Sequence, residues 1–495
     1  MQDTREWGRF AAIGFFWTAF LLIAAGGITP RFAAGGLSDP PVYPGCDNVA
    51  KDGGEIVRCL AGAANGGDSL AQYHLGALYE GGHGVERDMA KAVEWYRKAA
   101  EGGNPMAQES LGRAYAFVQR DYPEALAWYR KAAEQGNGKA MYEIGVMVAN
   151  GLGVERDYAE AVRWYRMAAE RGEPKAQNSL GRAYSYGLGL PRDEAEARKW
   201  FLRAASLGHM GALRRLRESA GEGSPEVQHA LASIYADGRG GMRNDAEAAR
   251  WFLEAAKGGL RESQFRLGEM YSSGRGVPPD DAIASRWFRE AAEKGHREAQ
   301  FRMGELYASG RGVPRDDAIA TDWLRKAADQ GYAPAQRSLG VRHMTGEGAP
   351  MDYAEAARWF RMAADQGDAG AQYHLGVLYA DGQGVPQDRL EAVAWIRRAA
   401  DQGNAAAQKD LGWMYVNGEG VPRDYASAVK WFRKAADQGD AKAQNNLGVM
   451  YVTGKGVPKD IAEAVKWFRK AAAQGDEKAR DSLNKLEVGD GPAKP

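Results

Sequence analysis

Apolar positions along this chain follow the spacing of amphipathic helices, and segment 440–475 shows the pattern most clearly. Ala443, Leu447 and Tyr451 recur every four residues, which places them on one face of a helix. Gly448 stands beside Leu447 and has no side chain, so another helix can approach closely there. These positions predict a first helix that packs against its partner through small residues.

A glycine-rich break separates this helix from a second one. Residues 453–456, Thr-Gly-Lys-Gly, end the first helix, because glycine readily adopts the left-handed backbone common at helix C-termini. Asp460 is the predicted N-cap of the second helix, in which we expect Trp467 to supply the largest buried area. The other apolar positions of that helix are Ala464, Phe468, Ala471 and Ala472. Each unit is therefore predicted to be a helical hairpin.

The same unit recurs along most of the sequence. Its tryptophan position is held by Trp95, Trp128, Trp164, Trp200, Trp251, Trp287, Trp323, Trp359, Trp395, Trp431 and Trp467. The intervals between them are 33, 36, 36 and 51 residues, followed by six intervals of 36. A fixed period of about 20–50 residues is typical of a solenoid, in which each unit packs on its neighbours.

The full repeating pattern covers roughly residues 68–486. It reads A-Q-x-x-L-G-x-x-Y, then G-x-G-V-P-x-D, then A-x-x-W-[FY]-x-[KR]-A-A-x-x-G. This pattern resembles the Sel-one-like repeat family, relatives of the tetratricopeptide α/α solenoids. The resemblance implies an all-α, right-handed superhelix of helical hairpins whose first helices line a concave surface. It implies no particular activity, because the family is defined by its scaffold.

Departures from the pattern divide the sequence. Residues 68–208 hold four repeats and 224–475 hold seven, while 209–223 resembles one repeat that has lost its central part. The second repeat, 104–136, is three residues shorter than the others and lacks the Gly-Val-Pro loop. The remaining segments are interpreted as a Pro/Gly spacer and N-terminal cap at 31–67, a C-terminal capping helix at 476–487 and a disordered tail at 488–495.

Residues 1–30 contain a long apolar run. It spans residues 10–28, 19 residues without a charge, close to the ~20 that a membrane-spanning helix needs. We expect a transmembrane anchor, with a cleaved secretory signal as the alternative. Arg5 and Arg9 precede the run and favour a cytoplasmic N-terminus. The expected location is the bacterial inner membrane, single-pass, with periplasmic repeats; after cleavage the protein would be secreted or periplasmic.

The two cysteines, Cys46 and Cys59, both precede the first repeat. In an oxidising compartment they could form a disulfide that holds the N-terminal cap, and two unlinked thiols are the alternative. Without a nearby histidine pair they do not predict a zinc site.

Charge and motif content disfavour several functions. The 65 basic residues balance 65 acidic ones, and the array has no basic run, which argues against nucleic-acid binding. The glycine loops lack the G-K-[ST] of a phosphate-binding loop, and the histidines lack metal-binding spacing. We therefore predict no enzymatic activity, no cofactor, no metal and no small-molecule substrate, and a protein or peptide as the partner.

Two positions of the first helix vary while the core positions stay constant. One follows the Ala-Gln pair and the other lies four residues later, so both face one side of the helix. Trp413 holds the second position, outside the shared tryptophan position, and is a candidate binding hot spot. Packing against adjacent helices is the alternative for these residues. The other candidates for partner contact are Val377, Val449, Tyr373, Lys409, Phe265, Phe301, Glu269 and Glu305.

Three functional hypotheses fit these features. The leading one is a non-enzymatic, membrane-tethered scaffold or adaptor that binds a protein or peptide partner in the concave groove. A second is a periplasmic regulator of a membrane signalling or envelope-polymer system, acting through the same groove. The third, a cell-wall-directed hydrolase, rests on analogy with the family alone.

Overall fold

A computed structural model describes residues 53–489 of the protein. This part consists of α-helices joined by short loops, with a π-helical turn at Tyr115–Gln119 and a 3-10 turn at Arg239–Gly241. The expectation of an all-α array of helical hairpins is confirmed. The expected membrane helix lies outside the described residues. Within residues 53–489, none of the helices is both long enough and apolar enough to span a bilayer.

The helices are α1 (Gly53–Asn65), α2 (Ser69–Gly81), α3 (Met89–Glu101), α4 (Pro105–Ala114), α5 (Tyr122–Glu134), α6 (Gly138–Asn150), α7 (Tyr158–Glu170), α8 (Pro174–Tyr186), α9 (Glu194–Ser206), α10 (Met210–Gly221), α11 (Pro225–Asp237), α12 (Asp245–Lys257), α13 (Arg261–Ser273), α14 (Asp281–Glu293), α15 (Arg297–Ser309), α16 (Asp317–Asp329), α17 (Ala333–Thr345), α18 (Tyr353–Asp365), α19 (Ala369–Asp381), α20 (Arg389–Asp401), α21 (Ala405–Asn417), α22 (Tyr425–Asp437), α23 (Ala441–Thr453), α24 (Ile461–Ala473) and α25 (Glu477–Gly489).

The protein divides into two compact units. The described part of the first unit comprises residues 53–222 and 233–243, and that of the second comprises 223–232 and 244–489. In the first unit, helices α1 to α10 each pack mainly on the helices before and after them in the sequence. In the second unit, α12 to α25 do the same. Such nearest-neighbour packing defines a linear repeat array within each unit.

Ten of the eleven hairpins in the described residues pack a glycine of the first helix against a large side chain of the second, and the hairpin of α11 and α12 has Ala232 at that position. A Cβ built on Gly448 of α23 would lie 2.6 Å from ring atom Cε1 of Phe468 on α24, so no side chain fits at this position. Phe468 itself is fully buried. The same contact is made by Gly76–Tyr96, Gly112–Tyr129, Gly145–Tyr165, Gly181–Phe201, Gly268–Phe288, Gly304–Leu324, Gly340–Phe360, Gly376–Ile396 and Gly412–Phe432.

The residue after the repeat tryptophan, rather than the tryptophan itself, fills the centre of the hairpin. Phe432 is 1% exposed, whereas the neighbouring Trp431 is only half-buried. The Lys434 ammonium lies 4.0 Å from the centre of the Trp431 ring, a cation–π contact at the edge of the core. Trp467 is buried, so the depth of this position varies between repeats. The burial expected for Trp467 is found, whereas Trp431 shows that it does not extend to every repeat.

Successive repeats pack against each other at a glycine of the loop between the two helices. Gly456 has φ 75°, and a Cβ on it would lie 2.2 Å from the carbonyl oxygen of Tyr425. The loop of one repeat therefore lies directly on the start of the second helix of the preceding repeat. Gly384 lies in the same way on Tyr353.

Buried glutamines join the repeats at the opposite end of the helices. Gln408 Nε2 donates to the Ala400 carbonyl (3.0 Å), and Gln438 Nε2 donates to Gln408 Oε1 (2.8 Å). The ladder satisfies a carbonyl near the C-terminus of a second helix, where helical partners are missing. Leu207 stands where the ladder would have a donor glutamine. The Oε1 atom of Gln177 is therefore buried without a hydrogen bond.

Two segments depart from the regular hairpin. The shortened second repeat replaces its loop with the π-helical turn after α4, which ends at Arg120 with φ 56°. Segment 209–223 forms one helix, α10, and lacks the second helix of a hairpin. At the C-terminus, α25 packs on α24 and extends to Gly489, beyond the expected end of the capping helix.

We expect Gly412→Ala to destabilise the protein by about 1–3 kcal/mol, because its Cβ would overlap the Phe432 ring and overpack the core. The matched control is Gly62→Ala on α1, where a Cβ meets nothing within 4 Å. That change should stabilise the helix by about 0.5–1 kcal/mol. Denaturant unfolding measures both, and similar effects for the two variants would contradict the proposed glycine constraint.

Candidate functional site

The candidate site is an apolar strip on the first helices of the second unit, which we call the Trp413 surface. It comprises Val377 on α19, Trp413 on α21 and Val449 on α23, at the same position of three successive repeats. Trp413 is 51% exposed and Val449 40% exposed, while Val377 is half-buried. The alternative that Trp413 is a core packing residue does not fit this exposure.

Polar groups beside the Trp413 surface link neighbouring first helices. The Tyr373 hydroxyl on α19 donates to Asp410 Oδ2 on α21 at 2.8 Å, and Lys409 Nζ lies 3.1 Å from Asp410 Oδ1. Burial, together with the nearby Asp410 charge, raises the pKa of Tyr373, so its hydroxyl remains a donor. The Tyr373 hydrogen bond therefore holds α21 beside α19, while the Lys409 pair lies within α21.

Two of the aromatic candidates pack between repeats. Phe265 is 8% exposed, and its ring centre lies 4.5 Å from that of His296 and 5.8 Å from that of Phe288. The His296 side chain, at the N-cap of α15, covers the Phe265 ring, and contact of Phe265 with a partner stays a prediction. Phe301 is half-buried, with its ring centre 5.4 Å from that of Tyr332.

The acidic candidates are engaged in surface ion pairs. Arg266 Nη1 lies 3.3 Å from Glu269, and Arg302 Nη1 lies 3.0 Å from Glu305. Both pairs join residues three apart on one helix and are exposed to solvent, so each contributes little to stability. Their geometry leaves both carboxylates accessible at the surface.

In the first unit the first helices carry charge that the sequence analysis did not single out. Glu80 accepts hydrogen bonds from Arg113 Nη2 (3.0 Å) and from the Tyr96 hydroxyl (2.6 Å). Burial raises the pKa of Glu109, and burial raises the pKa of Glu143 to about 7. For Glu143 the available signal was its place directly before the buried Ile144.

The predicted disulfide joins a described and an undescribed position. Cys59 lies on α1, and Cys46 lies outside the described residues, so the pairing stays a prediction. Within residues 53–489, the structure contains no group of three or more His, Cys, Asp or Glu side chains arranged to hold a metal ion.

Two-helix units that pack in a row through small residues define an α/α repeat of the tetratricopeptide-like class. The Sel1 repeat model matches eleven segments: 69–104, 105–137, 138–173, 174–209, 225–260, 261–296, 297–332, 333–368, 369–404, 405–440 and 441–476. The protein belongs to the Sel1 repeat family. Repeat proteins of this kind typically mediate protein–protein interactions.

Two solved structures are similar to this protein. A protective antigen present in uropathogenic Escherichia coli strains, with an SLR fold, is 35% identical, with 88% of this chain and 91% of that one covered and a TM-score of 0.54. A Sel1 repeat protein from Oxalobacter formigenes is 34% identical, with 73% and 90% covered and a TM-score of 0.42. No curated protein matches the sequence.

Glu143 should make stability depend on pH. Because burial raises its pKa from 4.5 to about 7, the folded protein binds this proton more tightly than the unfolded one, and stability falls as pH rises through that range. Glu143→Gln removes the ionisation, so its melting temperature should exceed that of the wild type at pH 8 but not at pH 5. Exposed Glu155→Gln is the control, and parallel pH profiles for all three proteins would refute the assignment.

Proposed function

We propose that this protein is a non-enzymatic adaptor that binds a protein or peptide partner on the Trp413 surface. The observation that carries the proposal is the half-exposed indole of Trp413, at a position where the neighbouring repeats have the smaller Val377 and Val449. When a partner covers an exposed tryptophan, a large apolar surface is removed from water, and tryptophan is therefore a typical interface anchor.

The surroundings of Trp413 suit a peptide-sized contact. Val449 extends the apolar strip toward the following repeat, and the hydrogen bond from Tyr373 to Asp410 fixes the helix that presents the indole. Since hot spots lie on preorganised surfaces, this support favours binding without rearrangement. Glu269 and Glu305 would act at the rim, on association rate rather than affinity. Following the family resemblance, we take this face as the concave side of the array.

We further propose that residues 10–28 tether the protein to the bacterial inner membrane with its repeats in the periplasm. The support is the uncharged run of 19 residues after Arg5 and Arg9. The partner would then be a periplasmic or membrane protein.

Trp413→Ala should weaken partner binding by about 2 kcal/mol or more, with little change in melting temperature, because its indole is not part of the core. Crosslinking mass spectrometry from native membranes identifies the partner, and titration of that partner gives the affinity. Phe432→Ala in the same repeat is the contrasting variant, with an expected loss of about 3–5 kcal/mol of stability. If Trp413→Ala destabilises the protein as much as Phe432→Ala, the indole serves packing and the proposal fails.

Full-length protein should stay in the membrane fraction after a carbonate wash, because about 20 apolar residues anchor a helix stably. A truncated protein starting at Cys46 should be soluble. A mature N-terminus near Gly27, measured by mass spectrometry, would instead establish a cleaved signal.

A further inference from the structure

A cavity of about 550 Å³ opens in the first unit at the start of α9. Its walls come from the end of α8, the start of α9 and the outer face of α10. The side chains that matter for its chemistry are Tyr186, Arg192, Glu194, Arg198, Phe201 and Arg215. Its volume lies within the range of about 300–1,000 Å³ typical of ligand sites.

The cavity exists because a loop is missing. In the regular repeats the glycine loop of the next repeat covers the start of the second helix, as Gly420 does over Arg389. Segment 209–223 contributes α10 but no such loop, because the central part of that repeat is deleted. The start of α9 is left open, and Glu194 is exposed there.

The residue at the opened position has changed character. Two residues before the repeat tryptophan, the regular repeats have small or aliphatic side chains that the next loop covers. Val393 lies against Gly420, and the Ser285 hydroxyl donates to the Gly312 carbonyl at 3.2 Å. In the fourth repeat this position is Arg198, whose side chain lines the cavity.

A second arginine lies over an aromatic wall. Arg215 Nη1 donates to the Tyr186 hydroxyl at 3.2 Å, and its guanidinium lies 5.7 Å from the ring centres of both Tyr186 and Phe201. Tyr186 is 53% exposed and ends α8, where other repeats end the first helix with smaller residues such as Ser273 and Thr453. The contacts orient Arg215 and leave part of the tyrosine ring open to a ligand.

The carboxylates around the cavity mostly have partners of their own. Glu194 is bound by Arg192 at 2.9 Å, and Glu218 lies 4.0 Å from Arg214. Glu222 is exposed at the far end of α10. Within the described part of the protein, Arg198 and Arg215 make no ion pair.

Three arginines and three glutamates of the described residues line the cavity, and Arg198 and Arg215 are the two cations among them without a counter-ion, against one such carboxylate, Glu222. Burial and the positive charge of Arg215 lower the pKa of the nearby Arg182, so Arg215 acts there as a charge that is not neutralised. A ligand carboxylate would supply the missing counter-ion, because arginine binds carboxylates through paired hydrogen bonds.

We propose that this cavity binds a carboxylate group of a partner peptide, with an adjacent apolar side chain against Tyr186. The carboxylate comes from an acidic side chain or from the peptide's C-terminus, which have the same recognition chemistry. The site lies in the first unit and does not depend on the Trp413 surface.

Calorimetric titration of the detergent-solubilised full-length protein with three hexapeptides tests the proposal. The first contains two tyrosines and two glutamates and has an amidated end. The second has glutamines in place of the glutamates. The third has alanines there and a free C-terminal carboxylate. We expect at least one carboxylate peptide to bind ten-fold or more tightly than the glutamine peptide, and which one binds identifies the source. Equal affinities for all three, or no binding, would overturn the proposal.

Variants locate the binding. Arg198→Val restores the residue type of the regular repeats and should fold. It should weaken binding of the carboxylate peptide ten-fold or more, and Arg215→Gln should do the same. Exposed Arg163→Val removes a charge from the same unit away from the cavity and should change affinity less than two-fold. If Arg215→Gln lowers the melting temperature, its affinity is set aside, and the peptide affinity of Arg198→Val alone tests the site. Unchanged affinity in Arg198→Val, or a ten-fold loss in Trp413→Ala, would place the peptide elsewhere and refute the site.

Discussion

The contact between a first-helix glycine and the large side chain opposite it sets the geometry of ten of the eleven described hairpins, and Ala232 is the one replacement of that glycine. The glycine is more constant than its partner, since Gly304 meets Leu324 and Gly376 meets Ile396 where other repeats have a ring. What must be preserved is the close approach of two helices rather than aromaticity. In the regular repeats, the loop glycines and the glutamine ladder then hold a hairpin against the preceding one at its two ends.

Because these contacts use few positions, the rest of the first helix is free to change. Trp413 departs from the repeat pattern without cost to the core, since it lies outside the hairpin contact and is half-exposed. The deletion in segment 209–223 changes the surface more than Trp413 does, because it removes the loop that would cover the start of α9. Arg198 occupies the position that this loop would otherwise bury, so one deletion accounts for both the cavity and its charge.

The sequence was sufficient for the hairpins, because periodicity and small residues report directly on helix faces and close approach. The sequence was insufficient to predict which residues of one helix face are most deeply buried. Trp431 and Phe432 are adjacent and both apolar, and only packing shows that the phenylalanine is central. The burial of Phe265 depends on His296, the N-cap of α15, and the helix pattern around Phe265 does not report on that contact. The cavity was not predicted from the sequence, because it results from an absent loop and because Arg198 alone resembles an ordinary surface arginine.

Deletion of repeats tests the central claim, that stability comes from contacts between neighbours, most directly. Removing residues 404–439 takes out one whole period and should leave a shorter array that still unfolds cooperatively, because the flanking repeats present matching surfaces. Removing residues 404–421 takes out α21 and its loop and strands the apolar face of α22, so cooperative unfolding should be lost. Denaturant unfolding monitored by circular dichroism distinguishes the two. Equally cooperative transitions for both deletions would contradict the account.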